Sequence, residues 1–146
     1  MSGIIGGAGS KSGVIGITEL DYEEGTFTAT ARSETGTPTK TANYTKIGRT
    51  VTFSITIGSI ASNGTTLEFY ISGLPFTCLA DTAISVGPMY RIDYPSSLEL
   101  RSQVAANQSY CTFYWTRDDT SYIIASCANF DYSSAAIAIA GTYMTT

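Results

Sequence analysis

The chain has 146 residues, a net charge of −4 and only 14% charged side chains, enough material for one sizeable core but no cationic surface with which to neutralise phosphates. Nucleic acid is therefore excluded as a partner. There is no histidine, which removes Ser-His-Asp and Cys-His catalysis and the commonest metal ligands.

Residues 1–17 place Ile4, Ile5, Val14 and Ile15 among glycines, too flexible to fold alone and too apolar for a plain solvated tail. They are expected to be an arm that lies against another protein through backbone bonds and apolar anchors. Gly7 and Gly9 do not complete a phosphate loop: Ser10 stands where a glycine is needed before Lys11, and Ser12 where the dinucleotide pattern needs its third glycine. The start of the chain lacks the basic residues and apolar run of a signal peptide, and no segment approaches the length of a membrane span, so no membrane insertion is expected. Glu19, Asp21, Glu23 and Glu24 crowd one junction, read as a solvated elbow with docking or cation binding as the alternative.

Residues 18–146 are expected to form one all-β domain, a jelly-roll-like antiparallel β-sandwich. Thr, Ser, Gly, Ala and Tyr dominate, as in chains of many short strands and turns. Phe27, Ala29 and Ala31 alternate with Thr26, Thr28 and Thr30, and residues 34–42 read as a polar loop. Val51, Phe53, Ile55 and Ile57 then alternate with Thr50, Thr52, Ser54 and Thr56 as a half-buried strand. Asn63-Gly64 predicts a tight hairpin, with Leu67, Phe69 and Ile71 pointing inward on the returning strand and Pro75 ending it.

In the second half, strands are expected at Ile84–Val86 before Gly87-Pro88, then over 90–94, 98–101, 110–116, 122–127 and 135–143. A weak helical chance lies over 97–106, and Arg117-Asp118-Asp119-Thr120 reads as a turn. Cys78, Cys111 and Cys127 form neither an even disulfide set nor a metal spacing and are expected to be buried free thiols. The sequons at Asn43, Asn63 and Asn107 arise by chance in a chain this rich in Ser and Thr.

Two surfaces stand out as candidate sites. Along 135–140, Ala136, Ala138 and Ala140 alternate with Ala135, Ile137 and Ile139, so neither face of that strand is polar; the alanine face is expected to be a subunit interface. Tyr110 and Tyr114 lie opposite Cys111, Phe113 and Trp115 if their strand alternates, with Trp115 assigned to the core. With Arg117 and Asp118 beside them they form a candidate glycan platform, the alternative being that the rings fill the sandwich or a subunit seam. The neighbouring acids Glu23/Glu24 and Asp118/Asp119 do not converge from different strands as glycoside cleavage requires. No catalytic residue, cofactor or metal is expected.

Three runs, Asp21-Tyr22-Glu23-Glu24-Gly25-Thr26-Phe27-Thr28, Asn43-Tyr44-Thr45-Lys46-Ile47-Gly48-Arg49-Thr50-Val51 and Ile71-Ser72-Gly73-Leu74-Pro75-Phe76, occur in that order. Together they resemble the small β-domain at the distal end of tailed-bacteriophage fibre and virion-surface proteins. The match covers about residues 12 to 76; beyond it only the strand-rich texture and Gly141-Thr142-Tyr143 continue, and Ala29 stands where a proline is frequent. The resemblance implies a jelly-roll fold, a homotrimer, a structural and recognition role on the virion surface, and no catalytic residue. The expected function is a trimeric capsid decoration or head fibre held to a phage capsid or tail protein by its arm. The alternatives are a tail-fibre or receptor-binding tip that recognises host surface glycan, and a stand-alone carbohydrate-binding module.

Overall fold

The structure, a computed structural model, describes residues 21–93, 95, 98–117, 121–130 and 134–146. The arm with Ile4, Ile5, Val14 and Ile15, its boundary with the domain, Glu19, and Asp118 and Asp119 of the turn lie outside the described residues.

Among the described residues eleven strands follow one another: β1 (Tyr22–Thr26), β2 (Thr30–Ala31), β3 (Glu34–Thr35), β4 (Thr39–Ile47), β5 (Thr50–Ser62), β6 (Tyr70–Ser72), β7 (Thr82–Tyr90), β8 (Glu99–Val104), β9 (Tyr110–Thr116), β10 (Ile123–Ile124) and β11 (Ala135–Met144). A 3-10 turn, Cys127–Phe130, interrupts them. All pair antiparallel in the order β1-β4-β5-β11-β7-β8-β9-β6-β2, with β10 on β9 and β3 on β5. The fold is the expected all-β, sandwich-like arrangement, made by one sheet that curls on itself. Strand β7 is the shared wall: it pairs with β11 on one side and with β8 on the other.

Period-2 alternation decides what faces inward. Val51, Phe53, Ile55 and Ile57 of β5 pair with Tyr143, Gly141, Ile139 and Ile137 of β11, and apart from the half-buried Gly141 this set is buried while Thr52, Ser54 and Thr56 face out. From the opposite layer Leu100, Ser102 and Val104 of β8 pair with Trp115, Phe113 and Cys111 of β9. The stacked rings of Phe69 and Phe130, 3.6 Å between centroids, lie beside Phe113. Trp115 belongs to the core, and the three cysteines are buried free thiols, both as expected. Burial pushes the Cys111 thiol up to about 12, so it stays protonated and inert at neutral pH.

The three runs that carry the family resemblance meet in space. The Tyr44 ring lies against Gly25, where a Cβ would come within 3.0 Å of it, and its hydroxyl donates to Glu23 at 2.5 Å. Phe76 packs edge-on to Tyr44 at 5.5 Å, and Lys46 reaches both Asp21 and the face of Phe76. Ile47 pairs with Thr50 across a two-residue turn whose Gly48 has φ 57°, a conformation suited to glycine, and Gly48 N–H donates to Asp21. Asp21, Glu23 and Glu24 of the acidic junction are thus bonded to Lys46, Tyr44 and Tyr22, and among the described residues no group of acids, cysteines or histidines could hold a metal ion.

Several local expectations are corrected. Asn63-Gly64 does not close a hairpin, because both edges of β5 are already occupied, by β4 and β3 on one side or end and β11 on the other. The chain crosses instead to the opposite layer, where β6 pairs with β9 and β2; Phe69 and Ile71 are buried as expected, but Leu67 is exposed. The polar loop over 34–42 contains β3 and the start of β4, since the long β5 offers ladder partners as far as Thr39 and threonine suits a strand. Gly87-Pro88 does not end β7. Both residues oppose Ala138 alone, a bulge that accommodates a proline without breaking the strand. The strand expected over 90–94 ends at Tyr90, where Arg91 takes φ 50°. The helical chance over 97–106 is the strand β8, and within 122–127 only Ile123–Ile124 is strand.

Gly73, at φ 103°, lets the third run approach the first: a Cβ there would stand 2.1 Å from the Thr28 carbonyl oxygen. Gly73→Ala is expected to destabilise the domain by at least about 3 kcal/mol, because backbone on both sides must move. Urea unfolding checks this, and a loss below about 1 kcal/mol would show that the turn yields easily.

Candidate functional site

Strands β7 and β8 are paired only from Thr82 to Ile84, opposite Val104 to Ser102. Beyond Ile84, β7 turns to β11, beginning with Ser85 and Val86 opposite Ala140 and Ile139. The split opens a cleft of about 600 Å³ lined by Ser85, Leu100, Arg101, Gln103, Tyr114 and Tyr122, with Ser102 at its side. That volume suits a small ligand, and clefts with a few placed polar groups on an aromatic wall are the usual form of such sites.

The wall is built on β9, where Tyr110, Thr112, Tyr114 and Thr116 share the outer face because Cys111, Phe113 and Trp115 take the inner one. Tyr114 meets Tyr122 edge-to-face at 4.7 Å. Its hydroxyl accepts from Thr112 Oγ1 at 3.0 Å and from Gln103 Nε2 at 3.2 Å, which leans the ring along the strand and covers Thr112. Arg101 stands directly opposite Tyr114 on β8 and pairs with Glu99 two residues before it. A ring face framed by amide, hydroxyl and guanidinium donors can stack on an apolar sugar face while bonding the hydroxyls around it.

Of the residues singled out in the sequence, Tyr110 and Tyr114 lie on the expected common face, but only Tyr114 enters the cleft; Tyr110 packs on Tyr70 at 5.1 Å. Arg117 is exposed just past the end of β9, and Asp118 lies outside the described residues. The sequence reading missed Tyr122, Arg101, Gln103 and Tyr70. Arg101 and Gln103 share a face of β8, which the sequence reading took as a strand only as far as Arg101, and nothing local said that β8 lies beside β9.

The alanine row lies on the outer face of the other layer. Ala136 and Ala138 are half-buried and Ala140 is exposed, flanked by Thr56 and Ser54 of β5, Ser85 and Tyr90 of β7, and Thr142. A shallow depression of about 240 Å³ lies there between Ser54, Thr56, Gly87, Pro88, Ala138 and Ala140. The face carries only small side chains around this depression.

Ser102 is 5% exposed, and among the described residues its hydroxyl has no hydrogen-bond partner. An unpaired buried hydroxyl costs about 1–3 kcal/mol, so Ser102→Ala is expected to leave stability unchanged or raise it by about 1 kcal/mol. A denaturant midpoint that falls clearly on this substitution would mean that the hydroxyl is bonded after all.

No family model and no curated protein matches the chain. Among solved structures, the Dettilon tailspike protein (gp208) superposes with a TM-score of 0.67 at 19% identity, over 84% of this chain and 24% of that one. At that identity the likeness is one of fold, and the chain spans about a quarter of the tailspike's length: it has the fold of a part of a tailspike.

Proposed function

We propose that the chain is a β-domain of a phage virion-surface protein, carried at the tail, and that it binds host surface glycan through the cleft between β7 and β8. The single observation that carries the binding role is the wall of Tyr114 and Tyr122 with Arg101 and Gln103 beside it on β8, at the edge of the split from β7. The fold shared with a tailspike protein favours the tail over capsid decoration, and the ordered runs around Tyr44 agree with a fibre-type domain. Binding is favoured over cleavage because none of the described residues lining the cleft is a carboxylate, and glycoside hydrolysis draws on a facing pair of them.

The outer face over Ala136, Ala138 and Ala140 is the assembly surface in this reading, joining three copies into a homotrimer. Its support is the row of small side chains on a strand whose other face is already in the core.

Isothermal titration with fragments of host surface polysaccharide tests the cleft. Tyr114→Ala is expected to weaken binding at least about tenfold, the equivalent of about 1.4 kcal/mol, without moving the thermal midpoint by more than a few degrees. Undiminished affinity in that variant would remove the cleft from the function. Mass spectrometry of purified particles separates the locations: a copy number of the order of a capsid lattice, instead of a tail organelle, would refute the tail.

Ala138→Arg tests the assembly. A charge left unpaired at a packed seam costs on the order of 3 to 5 kcal/mol, so light scattering is expected to show dissociation while the monomer stays folded. A wild-type protein that is monomeric at micromolar concentration would sink the trimer.

A further inference from the structure

Beyond the cleft, the same outer face carries a second pair of rings. Tyr70 of β6 stands directly opposite Thr112 of β9, and its ring lies 5.1 Å from that of Tyr110. The Arg32 guanidinium sits over the Tyr70 ring at 5.0 Å and is held there by a bond to the Glu68 carbonyl. Thr112 is the residue covered by the Tyr114 hydroxyl, so the two ring pairs adjoin through it. Tyr122, Tyr114, Tyr70 and Tyr110 therefore form one row, with Gln103 and Arg101 beside its first half and Arg32 and Ser72 beside its second.

We infer that this row is a track for a linear oligosaccharide, with one sugar-binding station in the cleft at Tyr114/Tyr122 and a second at Tyr70/Tyr110 under Arg32. The inference deepens the glycan-binding reading and rests on it. Tyr110 and Tyr114 are four residues apart on one strand, which places their Cα atoms about 13 Å from each other at about 3.3 Å per residue. A single sugar cannot reach both; a chain of several can. None of the four rings is needed in the core: each is partly or largely exposed, while Phe69, Ile71, Cys111, Phe113 and Trp115 on the inner side of the same strands fill it. Aromatic rings spaced along a strand and interleaved with donors suit a ligand that repeats apolar faces and hydroxyls along its length. The track thus selects for length, and a free monosaccharide engages only one station.

The experiment is a titration of the full chain with bacterial surface polysaccharide cut to graded lengths, from monosaccharide to octasaccharide. Affinity is expected to rise with length until both stations are filled. Tyr110→Ala and Tyr70→Ala should each lower affinity for the octasaccharide about tenfold and leave the short fragments unchanged, whereas Tyr114→Ala should weaken every length. Circular dichroism of each variant confirms the fold, and Tyr110→Phe, which keeps the ring, should retain binding. Equal affinity for short and long fragments, or an octasaccharide indifferent to both Tyr70→Ala and Tyr110→Ala, would overturn the track while leaving the cleft standing. If no fragment binds, or if Tyr114→Ala changes nothing, the cleft reading fails and takes the track with it.

Discussion

The Tyr44 ring is the contact through which distant parts of the chain hold one another. It projects inward from β4 opposite Phe53, closes on Gly25 of β1, bonds Glu23 through its hydroxyl, and receives the edge of Phe76 from the far end of the third run. Phe27 packs on it as well, at 6.3 Å. Any side chain at Gly25 would push the ring away, and a smaller residue at 44 would leave Phe76 and Phe27 without a common partner. Tyr143, at the end of β11, donates to the Phe76 carbonyl, so the last strand is fastened to the same point. This knot closes one end of the sandwich and explains why three separate runs of sequence go together: each supplies a surface that the others need.

At the other side of the molecule the governing feature is that β7 divides its length between two neighbours. Its first three residues follow β8, and from Ser85 onward it follows β11. The sheet parts where Leu100 and Arg101 face β7 across the cleft. The Gly87-Pro88 bulge helps the turn by adding twist, and it sits against Ala138, where a side chain on Gly87 would come within 3.3 Å of the Ala138 carbonyl. One departure of one strand thus shapes both the candidate sugar site and the depression on the alanine face.

Much of this was legible in the residues, because half-buried strands announce themselves by alternation. Val51 to Ile57, Cys111 to Trp115 and Ala135 to Ile139 all face as their periods require. Partnership was not legible. Asn63-Gly64 carries the turn chemistry of a hairpin, yet β5 had no free edge for the returning chain, and edge occupancy is a property of the whole sheet. For the same reason Tyr110 and Tyr114 could be placed on one face from their own strand, while Tyr70, Tyr122 and Arg101 could not be placed beside them: they arrive from strands far along the chain. Pro88 misled in the opposite direction, since a bulge lets proline sit inside a strand that its missing N–H would otherwise end.

Strand β1 ends the order of the sheet, and among the described residues none pairs with its outer side. An open strand edge is a template on which another chain can add, and the hazard grows with local concentration. Here that edge reads Tyr-Glu-Glu-Gly-Thr, with two carboxylates in succession on opposite faces and a glycine that weakens the ladder. Two such edges brought together would oppose like charges. The acids at this margin therefore act as gatekeepers that oppose the fusion of two such edges into one sheet.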